Sequence, residues 1–282
     1  MDAKELTTKT INKWIKDDAA TDSAAIAFYF FLSVPALLLF SVSIGNILLK
    51  SEDVQQFIID SMQSILDGKT AEILTTLLEH TPSTNLLSIS AIIGLILLIW
   101  TAGAAFRQIH KFTSKVWYIQ PKKIGALHEF VILTAKSSLV VAFFGVLLII
   151  SIFIGGIVYI VSKLFGELIP QSLFIVGYAT TITSFIIATI FCFVVYRILS
   201  DSKIPTSDTF IGALVTVSLI ALGNYFTGLY LSYSDLTSVY GAIGSTIGLF
   251  LLIFYISIMI TIGIEFTKVY SDSRQKQNED KF

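Results

Sequence analysis

Residues 242–267 read AIGSTIGLFLLIFYISIMITIGIEFT, an apolar run that holds one charge, Glu265, close to its end. A helix of about 20 residues crosses a hydrocarbon core of roughly 30 Å, so this run is long enough to span a bilayer. It is also too poor in charge for an ordinary soluble helix. Five more runs share its character, at 24–49, 86–106, 133–161, 173–199 and 210–230. In lipid every backbone amide must be satisfied within its own segment or by a closed neighbour, which leaves helices and closed barrels. Long runs without alternation do not suit barrel strands. The fold class read from the chain is therefore all-α, a polytopic membrane protein with six transmembrane helices.

Composition agrees: 54% of the 282 residues are hydrophobic and 14% charged, with a mean hydropathy of +0.79, against about 25% charged in soluble domains. A formal net charge of −1 gives no basic field and no reason to expect nucleic acid as a partner. The single cysteine, Cys192, lies mid-helix, which rules out an internal disulfide and reads as a packing residue. The first apolar run follows more than twenty mixed residues without a cleavage pattern, so it reads as a spanning helix and not a removable signal.

Basic residues orient the chain. With a cytoplasmic amino terminus, sixteen of the nineteen Lys and Arg lie inside, and only Lys50, Lys69 and Lys163 lie outside. Both termini are then cytoplasmic, in agreement with an even number of spans. Lys4–Asp18 places Ile11, Trp14 and Ile15 at helical spacing among lysines, which fits an amphipathic helix in the headgroup layer. On the outer side, residues 51–85 carry six acidic residues and two helical apolar rhythms, expected to form an amphipathic helical cap. The expected domains are an amino-terminal helix over 1–21, a membrane domain over 22–270 with its insertion at 51–85, and a disordered cytoplasmic tail over 271–282.

Several residues inside or beside the spans carry chemistry. Pro35 removes a backbone hydrogen bond from the first span and favours a kink that could line a cavity. Asp22 is placed to cap that span or to stand at a pathway mouth. Glu265 is an expensive intramembrane charge, with Lys268 three residues on as its local partner. Arg107, Lys136 and Arg197 near the inner face read either as headgroup anchors or as a basic vestibule for an anionic solute, with Asp22 and Glu265 as counter-charges. Gly241, Gly244, Ser245 and Gly248 put small residues along one flank of the last span, a pattern for close helix packing within one chain or in a homo-oligomer. No metal-ligand spacing, phosphate loop or nucleophile motif is present, so no metal, cofactor or hydrolytic chemistry is expected.

The stretches 22–35, DSAAIAFYFFLSVP, and 239–245, VYGAIGS, resemble those of the YihY/BrkB family of bacterial inner membrane proteins, historically labelled ribonuclease BN. Weaker matches fall at Phe106-Arg107, Tyr196-Arg197 and Gly212-Ala213; Ile253, Ile264 and Ser200 depart from the family's usual Trp, Ala and Pro. The resemblance implies a multi-pass protein of the bacterial plasma membrane. It also implies a transporter or exporter linked with lipid-type molecules; with Asp22, Pro35, Arg107, Lys136, Arg197 and Glu265 read from the residues as pathway candidates, the expectation is a flippase-like exporter of an anionic lipid or amphiphile with membrane lipids as partners. A scaffold that binds envelope partners through its outer cap is the alternative. The ribonuclease label fits poorly, because a nuclease needs paired carboxylates or histidines facing a basic groove.

Overall fold

The computed structural model describes residues 3–48, 87–119, 126–165, 172–199, 204–233 and 236–279. The outer cap expected at 51–85 lies outside them. Among the described residues every regular element is an α-helix: α1 (Ala3–Lys16), α2 (Ala19–Leu48), α3 (Leu87–Val116), α4 (Ala126–Phe165), α5 (Ser172–Leu199), α6 (Thr206–Tyr233) and α7 (Leu236–Glu279). Each expected span overlaps one of α2 to α7. Five stretches are long and apolar enough to cross a membrane, Ala19–Leu37, Ile92–Val116, Thr181–Ile198, Thr206–Gly223 and Thr246–Lys276, and α4 adds the shorter Val131–Leu147.

Helix ends differ from the hydropathy boundaries where polar side chains find partners. At a rise of 1.5 Å per residue, the 44 residues of α7 extend ~66 Å, well beyond the hydrocarbon core. The expected disordered tail is helical as far as Glu279. It holds because Lys268 pairs with Asp272 at 2.7 Å one turn on, while Arg274 reaches Asp208 Oδ1 at 2.7 Å and Ser207 Oγ at 2.9 Å at the start of α6. At the other end, α2 begins at Ala19, so Asp22 lies within its first turn and does not cap it. Its carboxylate still suits the positive end of the helix dipole. The chain turns from α1 into α2 through Asp18, whose φ of 49° is a left-handed conformation that aspartate tolerates. Pro35 does not break α2, which runs through it with the proline on its exposed side.

The chain divides into two compact units: Met1–Ala20, Ile109–Gly223 and Met259–Phe282 form the first, and Thr21–Gln108 with Asn224–Ile258 the second. In the second unit Phe30 meets Phe106 edge-on at 5.7 Å and Phe31 meets Phe250 at 5.5 Å, which joins α2 to α3 and to α7. In the first unit Phe144 of α4 packs on Phe191 of α5 at 4.7 Å, and Phe193 of α5 on Phe210 of α6 at 6.1 Å.

Lipid tails are as apolar as the side chains, so helices associate in a membrane through close packing and polar bonds. That happens where α5, α6 and α7 meet. The buried Tyr196 hydroxyl lies 2.8 Å from Thr216 Oγ1 and donates to the Ile260 carbonyl at 3.1 Å, and Thr216 in turn donates to Gly212 at 2.8 Å. Gly263 and Gly212 allow this approach: a Cβ on Gly263 would run into Thr216 and Tyr196, and one on Gly212 into Thr267. Among the described residues nothing lies within 4 Å of a Cβ built on Gly248, and the side-chain surroundings of Gly241, Gly244 and Ser245 lie outside them. The close contact at Gly263 thus falls about four turns further along α7 than Gly248.

Gly263→Ala should therefore cost about 1–3 kcal/mol through overpacking. Gly145→Ala, at a helical glycine with no described neighbour within 4 Å, should be neutral or gain up to about 1 kcal/mol from backbone entropy. Thermal unfolding of both variants in the same detergent checks the pair.

Candidate functional site

Glu265 is the one carboxylate among the described residues at 0% exposure, and it sits on α7 inside the apolar stretch Thr246–Lys276. A buried charge has to be paired or it destabilises the fold by several kcal/mol. Lys268 does not pair with it, since that side chain turns along the helix to Asp272. The partner is Lys13 of α1, whose Nζ lies 2.8 Å from Glu265 Oε2. The same ammonium lies 2.5 Å from Asp17 Oδ2, one turn on at the end of α1. Lys13 and Asp17 are themselves mostly enclosed, at 18% and 14% exposure.

One cation thus serves two carboxylates. Beyond the ion pair, no donor in hydrogen-bond alignment reaches either oxygen of Glu265 among the described residues. Burial alone would lower the pKa of Lys13, but the hydrogen bonds and charges of Asp17 and Glu265 outweigh it and hold the pKa above the ordinary 10.5.

Two neighbours fix α1 in place. Trp14 Nε1 donates to Thr261 Oγ1 on α7 at 2.9 Å, one helical turn before Glu265. From the end of α3, the Lys115 ammonium donates to the Asp17 carbonyl, and the Tyr118 ring lies with its centroid 5.6 Å from Lys13 Nζ. Tyr118 is held at φ 52°, a left-handed conformation that costs a residue with a side chain roughly 1–2 kcal/mol. The turn around it explains the strain: Ile119 N bonds to Ser114 O and Tyr118 N to Lys115 O, a Schellman closure of α3 in a position usually given to glycine. Tyrosine at that position brings a ring to the ammonium, a contact worth about 0.5–2 kcal/mol.

The other candidates make contacts of their own. In the second unit, Asp22 accepts from Gln108 Nε2 at 2.8 Å. Beside it on α3, Arg107 is half-buried within the stretch Ile92–Val116, with Tyr29 of α2 in electrostatic reach. In the first unit, Arg197 is exposed at the end of α5 and donates to the Ile204 carbonyl at 2.8 Å, closing the connection into α6. Arg197 therefore acts as a backbone tie. Lys136 is half-buried on α4. Sequence reasoning missed Lys13 and Asp17 as site residues. Their signal was the i,i+4 spacing of the pair beside Trp14 on the face of α1 opposite Ile11 and Ile15, which are 47% and 64% exposed.

A family model described as Virulence factor BrkB matches residues 10–282. No curated protein and no solved structure matches the chain.

Removing one partner of a buried pair leaves the other uncompensated, so Lys13→Ala should destabilise the protein by about 3–5 kcal/mol, and Lys13→Leu with Glu265→Leu should recover most of that loss. Denaturant unfolding of the single and double variants measures the difference. The contribution of the Lys13 charge is complete below the ordinary lysine value and fades as pH climbs through its raised pKa. Alkaline titration of Trp14 fluorescence should accordingly show α1 release only above about pH 10.5.

Proposed function

Since the chain belongs to the virulence factor BrkB family, and since it holds a guanidinium within an apolar span, we propose that it is a membrane transporter that exports an anionic lipid or amphiphile. The observation that carries this reading is Arg107, half-buried in the stretch Ile92–Val116 beside Tyr29 and the Asp22–Gln108 pair. A cation at such a position is costly, and intramembrane charges of this kind mark solute pathways. Arginine also matches the chemistry: its planar fork bonds phosphate and carboxylate oxygens in pairs, which a lysine cannot reproduce. Asp22 sets the resting charge balance beside it, and Tyr29 adds a neutral hydroxyl suited to a headgroup.

The charge bias of the loops supports a bacterial plasma membrane location with both termini cytoplasmic. In that orientation Arg107 stands toward the inner leaflet, the side from which an exporter loads. Its partners are then membrane lipids, and no enzymatic step is required.

Purified protein in vesicles should speed transbilayer movement of a labelled phosphatidylglycerol well beyond that of a labelled phosphatidylcholine. Loss of a charged hydrogen bond worth about 1.5–3 kcal/mol should slow Arg107→Ala by roughly tenfold or more, with Arg107→Lys between it and the unaltered protein. Movement no faster than in empty vesicles, or an Arg107→Ala rate equal to that of the unaltered protein, would refute the proposal.

A further inference from the structure

We propose that Glu265 and Asp17 together form a proton-binding site whose occupancy controls the docking of α1 on α7. This goes beyond the transport reading and does not depend on it. The site has two carboxylates and one enclosed ammonium, so with both carboxylates ionised its buried part carries an excess negative charge. Glu265 bears the greater burden of this, being fully buried and, beyond its ion pair with Lys13, having no hydrogen-bond donor aligned on either oxygen among the described residues. A proton on Glu265 removes the excess charge and turns the carboxylate into a neutral acid that suits its surroundings.

Among the described residues, the charged contacts at the site supply no second cation to Glu265. From α1 come Lys13 and Asp17. From the end of α3, Lys115 donates to the Asp17 backbone carbonyl and Tyr118 offers a neutral ring. On α7 itself Lys268 pairs with Asp272. The proton comes from solvent through the rim of Lys13 and Asp17, which retain partial exposure. No other bond changes: the Lys13 ammonium keeps its protons and keeps Asp17, its neighbour one turn away.

Protonation thereby has a mechanical consequence. The ionic tie from α1 to α7 ends at Glu265, and when that carboxylate is neutral the ion pair is lost while the Trp14–Thr261 hydrogen bond remains. The Lys13–Asp17 pair stays within the α1 turn and holds nothing across. Acidification should therefore loosen α1 while leaving its own helix intact.

The test uses the full chain in lipid nanodiscs, with infrared difference spectra for the proton and hydrogen exchange of residues 4–16 for docking, both between about pH 8 and about pH 5. In the unaltered protein, acidification should raise a carbonyl band of a protonated, buried carboxyl and speed exchange in α1 after correction for intrinsic rates. Glu265→Gln should lack the band and exchange fast at every pH. Asp17→Asn, which lies at the partly exposed rim and keeps the Lys13–Glu265 pair, should move the midpoint of both signals to lower pH, because the competing negative charge is gone. The proposal is overturned if the unaltered protein shows no band, or if the band survives in Glu265→Gln. It is equally overturned if the midpoint in Asp17→Asn stays fixed or rises, or if docking follows sodium concentration at constant pH.

Discussion

A carboxylate buried in an apolar helix must be met by a positive charge, and here the charge arrives from the far end of the chain. The 2.8 Å approach of Lys13 to Glu265 ties α1 to α7, since a buried carboxylate left without its cation would destabilise the fold. The neighbouring arrangements follow from it. Trp14 is brought to Thr261, and Lys115 and Tyr118 at the end of α3 are brought to Asp17 and Lys13. The left-handed Tyr118 is a small backbone cost borne in a region that the ion pair and the ring contact together stabilise.

Around this tie the transmembrane helices obey the other rule of association in lipid, which is close approach at small residues with polar bonds across the gap. Gly212 and Gly263 permit α6 and α7 to approach, and the Tyr196–Thr216–Ile260 bonds fix α5 against both. The polar groups are satisfied locally, so the bundle presents a lipid-facing surface of side chains such as Ile182, Ile186, Leu222 and Leu251, each at least half exposed. Against that background the half-buried Arg107 and the fully buried Glu265 each keep a charge within an apolar stretch, one in each compact unit.

The spanning helices among the described residues were legible because apolar length is a local property: each run from 24–49 to 242–267 overlaps its helix. Helix ends were less so. Hydropathy stops at the last apolar residue, whereas α7 continues to Glu279 because Asp272 and Asp208 supply partners for Lys268 and Arg274. The partner of Glu265 was not legible. Lys268 is nearby in sequence, but a lysine chooses between carboxylates by geometry, and Asp272 one turn on is better placed. The glycine contact was not legible for a similar reason: spacing along one helix does not say which of its faces meets a neighbour, and Gly263 meets Thr216 and Tyr196, whereas nothing described lies near Gly248 and the surroundings of Gly241, Gly244 and Ser245 lie outside the described residues. The family, by contrast, was visible in two short stretches, and the match over 10–282 extends it to nearly the whole chain.

The most direct test is an experimental structure of the full chain in a lipid bilayer at neutral pH, read at Lys13. The account predicts α1 packed along α7 with Nζ of Lys13 between Asp17 and Glu265 and within ion-pair distance of both. A structure with α1 lying apart from α7 and Glu265 paired instead with Lys268 or facing water would contradict it.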